Sequence, residues 1–268
     1  MATICLLSAK GSPGVTTTVV GLALAWSDAA SSRSALAIDA DPLGGDVAAG
    51  VLRGALSPAS GMLHLATSRG VEPIDAIDAA VVNLRRDGSA RLLAGVPDSA
   101  RAAALTLAWD VLERASDELS RTSTDLLVDC GRIDRLSAPA PWLLDADLTA
   151  LVVRPTLVGV AAAHRFLEAG ESARATDGPS VHPPVVPRPE GLIVVDAPSP
   201  YRPAEVAEVL RLPLLASIPF DPSSARVHSE GAAAGRGFAR SGYSRALHGL
   251  AGTIAERCPT VLPQGAPA

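Results

Sequence analysis

The stretch that decides the fold is "TICLLSAKGSPGVTTTVV" at residues 3–20. Residues 3–8 form an almost continuous apolar run, which is typical of a strand buried on both faces. From residue 16 onwards, apolar side chains recur at helical spacing and predict a helix. A loop with two glycines therefore joins a buried strand to the start of a helix. Backbone N–H groups and the helix dipole can hold a phosphate at such a loop.

Similar apolar runs recur along the chain, separated by segments of helix length. They predict further strands at 34–39, 90–95, 125–130, 149–154, 191–196 and 213–218. Helices are predicted at 16–27, 45–52, 102–121, 157–169, 203–211 and 241–257. Strands that alternate with helices form right-handed βαβ units. The expected fold is therefore α/β, with a doubly wound, mostly parallel sheet that carries helices on both faces.

Length and composition predict one domain over residues 1–257, with an exposed proline-rich loop at 177–189 and a disordered tail at 258–268. The net charge of −5 argues against a general attraction to DNA or anionic lipid. The three cysteines are scattered, no apolar run is long enough to span a membrane, and no leader pattern is visible. These features predict a cytoplasmic protein.

Three aspartates follow predicted strands. "AIDADPLGGDVA" (37–48) ends a strand with Asp39 and Asp41, and "DLLVDCG" (125–131) ends another with Asp129. Each alone is typical of a helix cap or a solvated turn. In an open parallel sheet, however, the ligand crevice lies at the carboxyl ends of the strands, where the glycine loop also lies. Together these features favour a nucleotide site with Mg²⁺ near the carboxylates.

These stretches together resemble the deviant-Walker P-loop ATPases of the MinD/ParA superfamily. That family's loop reads Lys-Gly-Gly-x-Gly-Lys-Thr-Thr, and residues 10–17 read KGSPGVTT. Its Asp-x-Asp-Pro-x-Gly motif is matched at 39–44, and "LPLLASIPFD" (212–221) looks like its last core strand. The resemblance covers about residues 1–257. The CpaE and TadZ branch, localisation factors of the tight-adherence (Flp) pilus, is most similar, because it often lacks the loop lysine and carries a Gly-Asp pair, here at 45–46.

The resemblance implies a set of cofactor-binding and metal-binding residues for ATP and Mg²⁺. The phosphate loop would comprise Gly11, Ser12, Gly14, Val15, Thr16 and Thr17. Thr16 would ligate Mg²⁺, with Asp39 and Asp129 supporting the metal site. Asp196 and Pro219 would flank the base. Because many relatives carry Asn where this chain has Asp196, the choice between adenine and guanine stays open.

The resemblance also implies two catalytic residues. Lys10 is similar to the signature lysine that reaches the phosphates of the partner in a nucleotide-sandwich dimer, and Asp41 would position the attacking water. Val15 stands where the family has the lysine that contacts the β- and γ-phosphates. Losing one such contact costs about 2.7–4 kcal/mol of transition-state stabilisation. Slow ATP hydrolysis, or none, is therefore expected.

Several functions remain open from the sequence. The first is a homodimeric spatial organiser for a pilus, secretion or division assembly, which a protein partner recruits to the membrane or cell pole. The second is a pseudo-ATPase scaffold that binds no nucleotide. The third is a ParA-type partitioning ATPase, which needs a basic cluster for DNA. Its candidates are Arg85, Arg86, Arg91, Arg226, Arg236, Arg240 and Arg245. A metabolic enzyme of the superfamily is a fourth, although the cysteines and histidines show no metal-ligand spacing.

Overall fold

The sheet contains eight strands in the part of the chain that the structure describes. The computed structural model describes residues 1–11, 13–30, 33–57, 60–133, 143, 146–175, 188–196 and 198–259, of which 172–175 are described by their backbone only. The strands are β1 (Thr3–Ser8), β2 (Ser34–Asp39), β3 (Val82–Asn83), β4 (Ala90–Leu93), β5 (Thr124–Arg132), β6 (Leu148–Val153), β7 (Gly191–Asp196) and β8 (Leu214–Pro219). Their order is β3-β4-β2-β5-β1-β6-β7-β8. All neighbouring pairs are parallel except β3 with β4.

Helices cover both faces of this sheet. They are α1 (Val15–Ala29), α2 (Met62–Thr67), α3 (Pro73–Ala80), α4 (Ala103–Arg114), α5 (Ser116–Arg121), α6 (Leu157–Ala175), α7 (Pro203–Leu210), α8 (Pro222–Ser229) and α9 (Gly242–Arg257). Short 3₁₀ turns lie at Ser99–Arg101 and Phe238–Arg240. None of the described helices is long and apolar enough to cross a membrane.

Alternate residues of the strands supply two separate hydrophobic cores. In β1, Cys5 and Leu7 pack in the core that α2 to α7 cover, whereas Ile4 and Leu6 pack in the core under α1 and α9. This alternation follows from the two-residue period of a strand. Because both faces are covered, the strand interiors read as continuous apolar runs. The predicted doubly wound, mostly parallel α/β fold is thereby confirmed.

The predicted helix at 45–52 is wrong. The chain forms a series of turns there, in which Gly50 N bonds to Asp46 O but Leu52 N bonds to Val47 O. Gly50 packs tightly against the end of α8, because a Cβ added to it would lie 2.4 Å from Ser229 O. The predicted helix at 102–121 is two helices that meet at Ala115. Helices α2, α3 and α8 and strand β3 were not predicted.

The ends of the predicted domain lie partly outside the described residues. Only Arg188 and Pro189 of the proline-rich loop are described, and the tail from residue 260 onwards is not. Cys258, the first residue of the predicted tail, is buried, and its carbonyl oxygen accepts a hydrogen bond from Arg33 Nη1 at 3.0 Å. The single-domain boundary at residue 257 stays a prediction.

Candidate functional site

The glycine loop lies at the carboxyl end of the sheet. It leaves β1 after Ser8 and ends where α1 begins at Val15. Gly14 has a φ of +101°, a left-handed conformation that favours glycine, and no side chain among the described residues caps the helix. The first N–H groups of a helix have no acceptor within the helix, so those of α1 are available to a ligand. A Cβ added to Gly11 would meet no atom within 4 Å, which leaves the backbone accessible.

An open cleft of about 610 Å³ lies beside this loop. It brings together six of the residues that the sequence singled out. They are Gly11, Gly14, Val15, Thr16, Thr17 and Asp41. Ser12 lies outside the described residues. The cleft is large enough for a small-molecule ligand, because such pockets measure roughly 300–1,000 Å³.

The side chain that replaces the loop lysine points into the protein. Val15 is only 5 % exposed and belongs to the hydrophobic core under α1. Lys10 is exposed, but it lines a neighbouring cavity of about 230 Å³ between the loop and the start of α6. Neither residue therefore brings a positive charge into the cleft of the single chain. The predicted action of Lys10 concerns a dimer partner and stays a prediction.

Two buried carboxylates, Asp39 and Asp129, do not line the cleft themselves, but Asp129 interacts with Thr16, which does. Asp39 and Asp129 are partners in the register of β2 and β5, and each is 2 % exposed. Asp129 Oδ1 accepts a hydrogen bond from Gly131 N at 2.8 Å, whereas Oδ2 has no hydrogen-bond partner among the residues that the structure describes. Burial raises the pKa of Asp129 to about 6, and interactions with the Thr16 hydroxyl and Gly131 N–H partly offset this. Burial, and then the charge of Asp129, raise the pKa of Asp39 well above its usual range.

Two glycines make room for the Asp39 carboxylate. A Cβ added to Gly45 would lie 1.7 Å from Asp39 Oδ2, and one added to Gly95 would lie 2.7 Å from Asp39 Cγ. Gly45, in the Gly-Gly turn after the aspartate motif, therefore packs directly against the Asp39 carboxyl group.

Gly45→Ala is expected to lower the free energy of unfolding by about 1–3 kcal/mol, the usual cost of overpacking. The atoms that would be displaced all belong to the Asp39 carboxyl group, which is buried and so has little room to move. Urea unfolding measures the loss. Gly235→Ala is the matched control, because a Cβ there would meet nothing within 4 Å. Equal stability of the two variants would contradict the close packing around Asp39.

Asp41 occupies the wall of the cleft. It is half-buried, and its Oδ1 accepts a hydrogen bond from Leu43 N at 2.8 Å. Burial, and then the charge of Asp46, raise its pKa. Gly131, at φ +60°, lets the end of β5 pass close to this side chain: a Cβ there would lie 2.1 Å from Asp41 Oδ2. The aspartate motif and the end of β5 thus form one unit.

The residues present fit a Mg²⁺ ion that shares its coordination with a phosphate. Among the described residues no group of three His, Cys, Asp or Glu side chains could hold a metal alone. Mg²⁺, however, is usually bound by one or two carboxylates together with water and substrate phosphates. Asp129 Oδ2 is a buried oxygen with no hydrogen-bond partner in the described part of the chain, and the Thr16 hydroxyl interacts with the same carboxylate. A divalent cation would balance the negative charge of these carboxylates.

The two predicted base-flanking residues lie together but outside the cleft lining. Asp196 and Pro219 are partners in the register of β7 and β8. The end of β7 reaches the loop, because a Cβ added to Gly14 would lie 3.9 Å from Val195 Cγ2. If Asp196 and Pro219 flank a base, as predicted, the base would lie on the side of the site next to β7 and β8.

Several residues that were given no role in the site from the sequence also line the cleft, among them the ionisable Arg132, Arg154, His228 and Glu230. His228 Nδ1 lies 3.0 Å from the Tyr243 hydroxyl, and burial lowers the pKa of His228 to about 4. The histidine is therefore neutral at physiological pH. A signal existed for Arg132, which directly follows "DLLVDCG". His228 and Glu230 come from the unpredicted α8 region, so local sequence offered no link to the loop.

Part of the basic cluster that a DNA-partitioning role would need is paired with acids. Arg85 lies 3.0 Å from Asp28, Arg91 lies 2.6 Å from Asp78, and Arg226 lies 2.8 Å from Glu230. These ion pairs reduce the charge that the three arginines offer to a DNA backbone.

Comparison with known proteins shows the fold. No protein-family model matches the sequence, and no curated protein is detectably similar to it. Solved structures do match. The Pyrococcus furiosus cell division ATPase MinD has a TM-score of 0.71 and 21% identity, over 96% of this chain and 99% of that chain. The Pyrococcus horikoshii septum site-determining protein MinD, solved with Mg-ADP, has a TM-score of 0.67 and 20% identity, over 93% of this chain and 94% of that chain. The chain in the Aquifex aeolicus MinC:MinD cell division protein complex has a TM-score of 0.64 and 19% identity, over 96% of each chain.

Proposed function

We propose that this chain is a MinD/ParA-like nucleotide-binding protein with impaired or absent ATP hydrolysis. The observation that carries the proposal is the joint placement of two features. The N-terminus of α1, behind a glycine loop, faces one cleft. Thr16 in the lining of that cleft interacts with Asp129, which pairs with Asp39, and both buried carboxylates have a raised pKa. The first feature suits phosphate and the second suits Mg²⁺, so their combination fits a Mg·nucleotide. The P. horikoshii MinD with the same fold is a complex with Mg-ADP.

The orientation of Val15 supports the impaired hydrolysis. A lysine at this point contacts the β- and γ-phosphates in P-loop enzymes and stabilises the charge that develops during transfer. Here the side chain is apolar and buried in the core under α1. Pro13 removes a further N–H group from the loop. Binding by the remaining backbone groups can persist without fast turnover.

The biological role that fits such a protein is that of a spatial organiser. We place it nearest the CpaE and TadZ branch, as a homodimeric localisation factor for a pilus, secretion or division assembly. The A. aeolicus MinD was solved in complex with the cell division protein MinC, which is an example of a protein partner for this fold. The proposed location is the cytoplasm, with recruitment to the membrane or cell pole through a partner.

Calorimetric titration with Mg·ATP, Mg·ADP and Mg·GTP tests nucleotide binding and base preference. The wild-type protein is expected to bind at least one of them, and Thr16→Ala to weaken that binding by about tenfold or more, because a metal-ligating hydroxyl is lost. Thr253→Ala, on the exposed side of α9, is the matched control. No binding at millimolar nucleotide would overturn the proposal and leave the nucleotide-free scaffold, which the buried Val15 favours.

Lys10→Ala tests the predicted action in a dimer. The nucleotide-dependent dimer is expected to be lost while the monomer keeps its affinity, because Lys10 does not line the cleft of its own chain. Light scattering with and without Mg·ATP measures the oligomeric state, and calorimetry at low protein concentration measures the affinity. An unchanged dimer would remove Lys10 from the proposed catalytic residues.

A further inference from the structure

Two arginines flank the glycine loop, one on each side. Arg132, the last residue of β5, is the register partner of Ser8, the last residue of β1. Arg154 directly follows β6. Because β5 and β6 are the two neighbours of β1, the two arginines belong to the strand ends on either side of the strand that leads into the loop. Both arginines are exposed and both line the cleft.

The surroundings of the two arginines differ. Arg132 follows Gly131, which packs against the Asp41 carboxylate, and comes three residues after Asp129. It therefore lies on the side of the carboxylates proposed to hold Mg²⁺. The Arg154 guanidinium lies 6.0 Å from the centroid of the Phe220 ring, which follows β8. Arg154 is thus oriented towards the side where Asp196 and Pro219 would flank the base.

The cleft needs a cation near the metal site if it holds a polyphosphate. Val15 is buried and Lys10 lines the neighbouring cavity, so the loop itself offers none. Asp41, Asp46 and Glu230, which also line the cleft, are all acidic. Arg132 forms no ion pair with another residue in the part of the chain that the structure describes. Its guanidinium is therefore free to bind an anion beside the carboxylates.

We infer that Arg132 binds the terminal phosphate of a nucleoside triphosphate within its own chain, in place of the missing loop lysine. The inference rests on the proposed function. A planar guanidinium can bind a phosphate through two parallel N–H···O bonds, which suits it to this task. Since Arg132 comes from β5 and not from the loop, its charge approaches the phosphate from the side of Asp41. Arg132 then selects the triphosphate over the diphosphate, and Arg154 contacts both forms alike.

Affinities for Mg·ATP and Mg·ADP, measured by calorimetry on four variants, test this inference. Arg132→Gln is expected to weaken Mg·ATP binding by about tenfold or more while changing Mg·ADP binding by less than about threefold. Arg132→Lys should recover part of the loss, because the charge remains. Arg154→Gln should weaken both nucleotides by similar factors. Arg165→Gln, an exposed arginine on α6 outside the cleft, is the control and should change neither.

Each other outcome overturns the inference in a recognisable way. If the wild type binds nucleotide but Arg132→Gln keeps its ratio of ATP to ADP affinity, the inference fails and the proposed function stands. If Arg154→Gln removes the preference instead, the role belongs to Arg154. If the wild type binds neither nucleotide, both the inference and the proposed function fail. Thermal unfolding of every variant verifies that it is folded, which is expected because Arg132 is exposed.

Discussion

Asp125→Ala is expected to lower the free energy of unfolding by about 3–5 kcal/mol, the usual cost of breaking a buried ion pair from one side. Asp125 is fully buried, at 0 % exposure, near the start of β5. Its Oδ1 accepts a hydrogen bond from Ala2 N at 2.7 Å, and its Oδ2 accepts one from Trp26 Nε1 at 2.9 Å. Arg33 Nε lies 2.6 Å from the same Oδ2 as an ion pair.

The effect is large because one carboxylate satisfies groups from three separate segments. Without it, the Ala2 N–H and the Trp26 indole N–H lose their acceptor, and the Arg33 guanidinium remains as an uncompensated charge that is only 11% exposed. Arg33 also joins the network to the C-terminal end of α9 through the Cys258 carbonyl oxygen. The loss of the carboxylate should therefore loosen the segment at Ala2 and the C-terminal end of α9.

Urea unfolding at neutral pH, followed by far-UV circular dichroism, measures the loss for Asp125→Ala. Asp110→Ala, on the exposed face of α4, is the matched control and should change the stability by less than about 0.5 kcal/mol. Asp125 lies at the end of β5 opposite to Asp129, so the folded fraction of Asp125→Ala should keep the nucleotide affinity of the wild type. A stability loss no larger than that of the control would show that the ion pair contributes little.

Asp129→Asn is expected to stabilise the protein near pH 7.5, without Mg²⁺ or nucleotide, by up to about 3 kcal/mol. The pKa of Asp129 is about 6 in the folded protein and 3.8 in its ordinary state. The folded state therefore binds this proton more tightly than the unfolded state does. The stability that Asp129 contributes is fully present below about pH 4 and is lost as the pH rises through about 6. Each unit of pKa corresponds to about 1.4 kcal/mol, which sets the magnitude.

Chemical denaturation of the wild type and Asp129→Asn at about pH 4 and about pH 7.5 tests this pH dependence. Asparagine is neutral at both values and can still accept the hydrogen bond from Gly131 N, so the gain should be confined to the higher pH. Asp117→Asn, on the exposed side of α5, is the control for a charge change alone. A destabilisation of equal size at both pH values would contradict the raised pKa.

A ligand adds a second readout to the same comparison. Mg·ADP should stabilise the wild type in proportion to the logarithm of its concentration, because it binds only the folded state. Asp129→Asn should gain less, since the carboxylate proposed to help hold Mg²⁺ is absent. If Mg·ADP stabilises both proteins equally, Asp129 is not part of the metal site.

Much of the sheet could be predicted because its strands are buried on both faces. Seven strands were predicted from continuous apolar runs, and the structure has a strand at each place. The short edge strand β3 and the small helices α2 and α3 have too few residues to show a clear period. Helix α8 did carry readable signals: Asp221 caps it through Ser224 N, and Pro222 occupies its first turn. The helix predicted at 45–52 failed because packing against α8 takes precedence over local propensity.

The sequence by itself determined the local parts of this protein. The glycine loop, the strand before it, the helix after it and the aspartates at the strand ends are each set by neighbours along the chain. Only the tertiary structure decided that β5 inserts between β1 and β2, which pairs Asp39 with Asp129 across 90 residues and brings Arg132 beside Ser8. The same insertion buries Asp125 against Trp26 and Arg33. The order of the strands depends on how the whole faces of the sheet and its helices pack together. A buried strand shows the same apolar pattern in the sequence whichever strands lie beside it.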